Sequence, residues 1–390
     1  MSLLDDVKIL NTPNATKTGK LYSIKPDTGL GDLDITRSTT ATRLNSSGVV
    51  ESVAVNAPQL DYTESSCPSF LIEPQSTNLH LYSEEIDNAA YLKSDVTVSA
   101  NAIISPDGTT NADECTTTSN FAQMYQAITL AASTTYTWSF YVKRGTMTDI
   151  GQQIFNMNGD GEYGTGGKYY SQTTATGWAR VSFTFTTGSN GGTTRFYPIN
   201  ASGVTGTIYL WGFQLESKSF ATSYIPTVSS SVTRNLTSFL KTGLSSLIGQ
   251  TEGVFFIEIK YFGVPSGQNF LSIGQYAGGN NAVNIGNWGG NFSASLYFNN
   301  TTLFLNTNVA TVDTNFHKIA VKYKSGDSAI WMDGVEVFTY TTTGTPSASG
   351  FDTMSSKWGN LMWSIESIKL KQLQVYNTIL TDSQLLTLTT

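Results

Sequence analysis

The side chains of this sequence best suited to contact a ligand are aromatic residues in predicted loops. Sugars present apolar C–H faces that stack on exposed aromatic rings, while amides and carboxylates bind their hydroxyl groups. Trp288 is the strongest single candidate, since the surrounding stretch GNWGGN disfavours burial in a strand. The candidates for glycan binding are Tyr163, Tyr169 and Tyr170 in the first half of the chain, and Tyr276, Trp288, Phe351 and Trp358 in the second.

Carboxylates are the second class of residue that could do chemistry. A glycosidase needs two facing carboxylates, about 5–5.5 Å apart if retaining and about 6.5–9.5 Å apart if inverting. Glu258 and Glu336 fall on predicted strands and Glu366 lies near another, but they form no acidic cluster on one strand. We interpret them as carboxylates on solvent-facing sides of strands. No catalytic residue is predicted, and the protein is not expected to be an enzyme.

Patterns for metal binding and nucleophilic catalysis are not found in the sequence. His80 and His317 are far apart, and no Cys/His spacing suits zinc. The G-x-S-x-G elbow is missing, and GDGEYGTGG (159–167) lacks the Lys-Ser ending of a phosphate loop. The stretches NAVNIGN and SGDS carry oxygens that could bind calcium, although there is no EF-hand loop. No cofactor is predicted, and calcium stays open as an alternative.

The composition indicates a large and weakly charged β protein. The chain has 390 residues, which is more than a single core usually holds. Charged residues make up 13% and aromatic residues 12%, and such a chain suits the pleated surface of a β-sheet. The net charge is −7 without any basic run, so neither nucleic acid nor an anionic membrane surface is an expected partner.

The sequence predicts neither secretion nor membrane insertion. The N-terminal stretch lacks the basic start, the apolar core and the cleavage site of a signal peptide. No apolar run approaches the roughly 18 residues that a membrane span requires. Cys67 and Cys115 are predicted to be reduced and packed, with a disulfide as the alternative.

Residues 66–226 are predicted to form a first β-sandwich. YTWSFYVK and RVSFTFT alternate between apolar and polar residues, which predicts strands with one buried face. TIYLWGFQLE is apolar on both faces and is predicted to be a central, covered strand. Trp138 and Trp211 are assigned to the core by this periodicity. Gly, Asn and Ser turns between the strands are typical of a sandwich or jelly roll.

Residues 251–390 are predicted to form a second sandwich, separated from the first by a junction at 227–250. The junction joins a Pro/Ser linker to apolar residues at roughly helical spacing, which favours a short helix or helical turns. The stretch 316–340 predicts a three-stranded meander with an Asp333-Gly334 type I′ turn. Thr381 and Gln384 form a capping-box pattern that predicts a closing helix at 382–388. The fold class is therefore all-β, with two jelly-roll sandwiches in tandem that should fold separately.

Residues 1–65 are predicted to be an extended attachment segment. They offer short strand candidates at Leu33–Arg37, Thr40–Leu44 and Val49–Val55, none of which can build a core alone. This segment is expected to pack on the next domain, on a sister subunit or on another protein.

Several of these stretches resemble known families. HKIAVKYKSGDSAIWMDGVEV and LKQLQVYNTILTDSQLLTL are similar to the meander, the final strand and the closing helix of laminin-G-like, concanavalin A-type jelly rolls. The preceding domain resembles sandwich modules of tailed-phage virion proteins, which are similar to carbohydrate-binding modules. YTWSFYVKRG, GWARVSFTFT and IYLWGFQLESKSFATSYIPT carry that resemblance. The head and the TGLSSLIGQTEGVFFIEI joint resemble the same phage proteins, for which the crAss-like group is one candidate.

The resemblance implies a non-enzymatic structural protein of the phage virion, a head or tail fibre that binds glycans at the host surface. It implies a homotrimer at the virion surface, assembled in the bacterial cytoplasm, whose N-terminal segment contacts other capsid or tail proteins. Laminin-G-like modules often hold calcium, which is why that ion stays open. Two alternatives are a polysaccharide-degrading tailspike and a purely structural decoration protein.

Overall fold

A computed structural model describes residues 3–17, 19–163, 169–173, 176–200, 204–263, 268–274, 281–348, 350–356 and 367–390. The protein is nearly all β, as predicted, with large antiparallel sheets. In the described part of the chain, no helix is long and apolar enough to cross a membrane.

The N-terminal part contributes one short helix and eight strands. These are α1 (Leu3–Asp6), β1 (Val7–Lys17), β2 (Lys20–Lys25), β3 (Leu33–Thr36), β4 (Ala41–Leu44), β5 (Val50–Val53), β6 (Gln59–Asp61), β7 (Ser69–Ile72) and β8 (Ser76–Asn78).

The next eleven strands build the first sandwich and its exit. They are β9 (Leu92–Ser94), β10 (Val96–Ile103), β11 (Ala112–Thr117), β12 (Gln123–Leu130), β13 (Thr135–Arg144), β14 (Gly151–Asn156), β15 (Gly161–Glu162), β16 (Ala179–Thr186), β17 (Gly192–Asn200), β18 (Gly206–Glu216) and β19 (Val232–Arg234). One sheet has the order β10-β11-β18-β13-β16 and the other has the order β15-β14-β17-β12-β9. Trp138, Phe140 and Phe213 lie in the core between them.

The remainder forms the second sandwich. Its elements are β20 (Ser238–Thr242), β21 (Glu252–Tyr261), β22 (Gln268–Gly274), β23 (Ala282–Trp288), β24 (Asn291–Phe298), β25 (Thr301–Thr311), β26 (His317–Lys324), β27 (Ser328–Met332), β28 (Val335–Tyr340), β29 (Thr353–Ser355), β30 (Ile368–Tyr376) and α2 (Asp382–Thr389).

The second sandwich contains N-terminal strands that the sequence did not assign to it. Its described strands run in the order β25-β24-β23-β22-β29-β20-β3-β2-β1-β30-β21-β26-β27-β28, with β7 on β30 and β6 on β7. Ile273 and Val283 from one end share a core with Ile257 and Ile319 from the other, so the sheet folds over on itself. The proposed division into 1–65, 66–226, 227–250 and 251–390 therefore needs correction. The first sandwich is an insertion between β7 and β20, and residues 7–36 complete the second.

The junction between the sandwiches is built from strands rather than from a helix. Strand β20 pairs with β3 and β29, and only a single turn follows, in which the N–H of Ile248 bonds to the carbonyl of Leu244. The predicted short helix is therefore reduced to that turn. The chain enters the inserted sandwich through β8 and leaves it through β19, and these two strands pair with each other.

The predicted meander and the closing helix are confirmed. Strands β26, β27 and β28 pair in order. Asp333 and Gly334 both have positive φ, 48° and 80°, as a type I′ turn requires. Thr381 and Gln384 form the capping box of α2.

A bulge at Gly212 interrupts the alternation in β18. Gly212 has a φ of 69°, and a Cβ atom there would lie 3.0 Å from the ring of Tyr141. Before the bulge Leu210 faces the core, and after it Phe213 and Leu215 do. Trp211 is buried as predicted, but it packs outside that core, against Tyr141 and Tyr224.

Both cysteines are unpaired, as predicted. Cys115 is buried in the first sandwich, whereas Cys67 is exposed rather than packed.

Candidate functional site

A groove of about 810 Å³ lies where the two sandwiches meet the β4–β5 hairpin. One wall comes from the first sandwich, through β13, β16 and the segment 222–224. The opposite wall comes from the second sandwich, through the ends of β21 and β30. The hairpin and the loop 104–108 close the rest of the rim.

The wall of the first sandwich presents aromatic rings and one arginine. Tyr141 on β13 and Arg180 on β16 are direct cross-strand partners, and the guanidinium carbon lies 5.5 Å from the centre of the Tyr141 ring. Half-buried Trp178 precedes β16, and its Nε1–H donates to the carbonyl of Ile104 at 3.0 Å. Tyr141 is itself buried, and Trp211 packs edge to face against it with ring centres 5.4 Å apart. The rings are therefore held in fixed positions.

Arg180 carries unused hydrogen-bond donors. Nη1 donates to the carbonyl of Thr222 at 2.7 Å, and Nη2 donates to Ser139 Oγ at 3.1 Å. Nε is buried and has no protein partner. Among the described residues, none supplies a carboxylate oxygen within ion-pair distance of this guanidinium. A guanidinium has five N–H donors, and two are used by Thr222 and Ser139. Because the Nε–H is buried, one N–H on each of Nη1 and Nη2 is left for a ligand or for water.

The wall of the second sandwich carries lysines that are already paired. Lys369 Nζ lies 3.0 Å from Asp61 Oδ1 and 3.0 Å from Glu64 Oε1. Lys260 Nζ lies 3.0 Å from the same Glu64 oxygen. Burial alone raises the pKa of Glu64, but the hydrogen bonds and charges of the two lysines outweigh it, so the pKa is lowered. Phe262 lies beneath Lys369, 5.2 Å from its ammonium.

The hairpin over the groove is held by polar contacts. Arg43 pairs with Glu51 at 2.6 Å across β4 and β5. Thr42 Oγ1 donates to the carbonyl of Tyr224, and the N–H of Val50 donates to the carbonyl of Pro106 at 2.9 Å. These contacts tie the hairpin to the first sandwich and fix the rim of the groove.

Three of the predicted ligand-binding aromatics are core residues. Phe351 is fully buried and packs against Tyr323, with ring centres 5.0 Å apart. Tyr169 is fully buried, and its hydroxyl donates to the carbonyl of Pro198. Tyr163 stacks on Phe185, and its hydroxyl donates to Asp160. The predictions for these three residues are corrected, because their rings are covered by protein.

Of the remaining candidates, the structure describes Trp288 and the backbone of Tyr170. Trp288 is the half-buried last residue of β23, directly before the Gly289-Gly290 turn. The backbone of Tyr170 begins a short 3₁₀ helix, Tyr170–Gln172. Tyr276 and Trp358 lie outside the described residues. None of the described candidates lines the groove.

The carboxylates and histidines weighed from the sequence lie apart from the groove. Glu258 is near Lys371 at 3.8 Å, and Glu336 accepts from Thr339. Glu366 lies outside the described residues. Burial lowers the pKa of His80 to about 3, and its ring stacks on Phe213 in the core.

The oxygens considered for calcium are already used by the protein. Asn281 Oδ1 accepts from the N–H groups of Asn299 and Ser347. Asn284 Oδ1 accepts from Ser272, and Asp327 pairs with Lys322 at 2.7 Å. In the described chain, no group of three or more His, Cys, Asp or Glu residues is arranged to hold a metal ion.

Comparison with known proteins shows partial likeness to several solved structures. No family model matches the sequence, and no curated protein does either. The CBM40 of a Ruminococcus gnavus IT-sialidase matches with a TM-score of 0.32 and 18% identity, over 38% of this chain and 91% of that chain. Domain 4 of AbnA, a GH43 extracellular arabinanase from Geobacillus stearothermophilus in complex with arabinotriose, gives 0.32 and 14%, over 44% and 82%. A SAP-like pentraxin from Limulus polyphemus gives 0.29 and 16%, over 35% and 68%. Likeness at this level leaves the function of this chain open.

The residues that line the groove were visible in the sequence only in part. Tyr141 and Arg180 occupy positions opposite the buried Phe140 and Val181 in their strands, which marks them as outward-facing. Trp178 stands beside Gly177, as Trp288 does beside Gly289, and loop context alone did not distinguish them. The other wall includes Lys260 and Lys369, which are 80 and 189 positions from Arg180, and no local pattern could indicate that they meet it.

Proposed function

We propose that this protein is a non-enzymatic carbohydrate-binding protein and that the groove between its sandwiches holds the sugar. The observation that carries the proposal is the convergence of Trp178, Tyr141 and Arg180 in one groove. The half-buried ring of Trp178 suits the apolar face of a sugar ring, and the buried ring of Tyr141 supports Arg180 from beneath. Unused N–H groups of Arg180 suit their oxygens.

The size and the construction of the groove support this proposal. A volume of about 810 Å³ lies within the range of small-molecule sites. Trp178 is held by its bond to Ile104, and the rim hairpin is tied down by Thr42 and Val50. A site that is already formed loses little conformational entropy when a ligand binds.

The electrostatics of the groove favour binding over hydrolysis. A general acid needs a raised pKa, as in glycosidases. The pKa of Glu64 is lowered instead, and Asp61 is paired with Lys369. The rival function is a polysaccharide depolymerase, and new reducing ends after incubation with polysaccharide would support it. Glu84 does not line the groove but accepts from Tyr224 at 2.9 Å, and burial raises its pKa, so it would then be the first residue to change.

The biological setting that we propose is the surface of a tailed-phage virion. The resemblance of the head, the first sandwich and the inter-domain joint to phage fibre proteins supports a head or tail fibre that binds host-surface glycans. A homotrimer would multiply weak single-site affinity. Sedimentation of the purified protein tests the trimer, and its position in an electron-microscopy map of the virion tests the setting. A decoration protein without any ligand would bind nothing on a glycan array.

The groove assignment predicts that Trp178→Ala weakens glycan binding several-fold. Loss of one stacked ring should cost about 1 kcal/mol, and single-site affinity should be about millimolar. Binding is measured by calorimetry with sugars that are positive on an array. The matched control is Phe121→Ala, because Phe121 is 83% exposed and lies outside the groove. Equal loss in both variants would contradict the groove assignment.

Trp288→Ala separates the groove from the candidate that the sequence favoured. If the groove is the site, this change leaves affinity nearly unaltered. Loss of binding in Trp288→Ala together with unchanged binding in Trp178→Ala would place the sugar on the second sandwich instead.

A further inference from the structure

The side chains that line the groove carry an excess of positive charge, whereas the whole chain carries an excess of negative charge. The chain carries a formal net charge of −7. Four cationic side chains and two carboxylates line the groove. The cations are Arg43, Arg180, Lys260 and Lys369, and the carboxylates are Asp61 and Glu64. A cleft lined by one excess sign concentrates ligands of the other sign.

Local pairing leaves Arg180 as the cation that a ligand can use. Arg43 is paired with Glu51, and Lys260 and Lys369 are paired with acidic residues. The hydrogen bonds of Arg180 to Thr222 and Ser139 go to a carbonyl and to a hydroxyl, so no carboxylate of the described chain pairs with this charge. Tyr141 and Trp178 stand next to this charge in the same wall.

We infer that the sugar held in this groove is acidic and that Arg180 binds its carboxylate. A planar guanidinium matches the two oxygens of a carboxylate with parallel N–H bonds. The neighbouring half-buried ring of Trp178 would hold the sugar ring that carries this group. Tyr141 is buried and supports the guanidinium from beneath. This inference rests on the proposed function, and it names the class of sugar: uronic acids or other sugars with a carboxyl group.

The test compares acidic oligosaccharides with their own neutral forms. Oligogalacturonates and oligomannuronates are measured by calorimetry against the full-length protein, beside the same oligosaccharides after reduction of the carboxyl groups to alcohols. A sulfated neutral oligosaccharide serves as the third probe. We expect at least one acid form to bind about tenfold tighter than its reduced form, as suits one charge-assisted pair. Its affinity should fall as salt is raised, and that of the reduced form should not.

Variants assign the preference to Arg180. Arg180→Gln should abolish the difference in affinity between acid and reduced forms, and Arg180→Lys should keep part of that difference. If Arg180→Gln does not fold, the salt dependence of the unaltered protein carries the test. Equal binding of the acid and reduced forms would overturn the inference and leave the proposed function standing. Tighter binding of the sulfated probe than of the acid forms would have the same two consequences. Failure to bind these probes or any glycan on an array would overturn both.

Discussion

At the scale of single residues, His317 links two parts of the second sandwich. Its Nδ1 lies 2.6 Å from Asp333 in the β27–β28 turn, and its Nε2 lies 2.8 Å from Asp313 in the loop before β26. Burial lowers the pKa of His317, but hydrogen bonds to the two carboxylates outweigh it, so the pKa is raised. The ring also packs edge-on against Phe292.

This contact predicts a pH dependence of stability. Because the folded pKa is above the unfolded value of about 6.5, the stabilisation is complete below that value and is lost as pH rises through the folded pKa. His317→Gln should remove this component, of at most about 1 kcal/mol for a partly exposed pair. Urea unfolding at pH 6 and pH 9 measures it in both proteins. An identical pH dependence in the two proteins would contradict the prediction.

Single-residue roles were predictable from the sequence only where local geometry decides them. The Asp333-Gly334 turn and the Thr381 cap depend on neighbouring residues, and both were predicted correctly. Burial of Phe351 depends on Tyr323 and Phe298, which arrive from other strands. The composition of the surrounding loop therefore led to the wrong prediction that Phe351 is an exposed ligand-binding ring.

At the scale of elements, a buried ion pair joins the two sandwiches. Glu73 follows β7 and Arg234 ends β19, and their side chains are 0% and 1% exposed. Glu73 also accepts from Gln59 and Ser223. Burial raises the pKa of Glu73, but the charge of Arg234 and these hydrogen bonds outweigh it, so the pKa is lowered.

We expect Glu73→Gln to destabilise the protein by about 3–5 kcal/mol, because Arg234 would be left as an unpaired buried charge. The free energy of unfolding in urea measures this effect. The control is Lys20→Ala, which breaks the exposed Lys20–Asp34 pair and should cost less than about 1 kcal/mol. A similar decrease in the free energy of unfolding in both variants would contradict the expectation that the buried pair stabilises the protein more than the exposed pair.

Whether a segment forms a strand or a helix was predictable where the spacing of its apolar residues agrees with the structure that it adopts. Strand β30, Ile368–Tyr376, contains the stretch LKQLQVY that resembles the final strand of a jelly roll. Strand β20 was missed because Phe239, Leu244 and Ile248 share a helical spacing, yet pairing with β3 and β29 fixes the backbone as extended before the turn. Ser238 pairs with Thr36, 202 positions away, and Leu240 pairs with Ser355, 115 positions away, so neither pairing falls within a local window.

At the scale of the whole molecule, the first sandwich is an insertion and the second is discontinuous. Both β-rich regions were predictable from their strand patterns. Their connectivity was not, because β1 pairs with β30 across almost the entire sequence. The groove was not predictable for the same reason, because its two walls come from different sandwiches that are distant in sequence.

This connectivity predicts that the two sandwiches differ as isolated fragments. A fragment of residues 76–234 contains both sheets of the inserted sandwich and should unfold cooperatively. A fragment of residues 250–390 lacks β1, β3 and β20, so it exposes core residues such as Phe255 and Ile273 and should not fold by itself. Circular dichroism during thermal unfolding measures both. A cooperative transition in the 250–390 fragment would contradict this prediction.

The pairing of β1 with β30 also decides how the molecule would carry tension. Val7 and Tyr376 lie opposite each other at one end of that ladder. A force applied between attachment points beside these residues would therefore break its hydrogen bonds one after another. The inserted sandwich would carry no load at first, because its entry and exit strands β8 and β19 are side by side. In single-molecule pulling, the second sandwich should lengthen first while the wall that holds Trp178, Tyr141 and Arg180 stays folded.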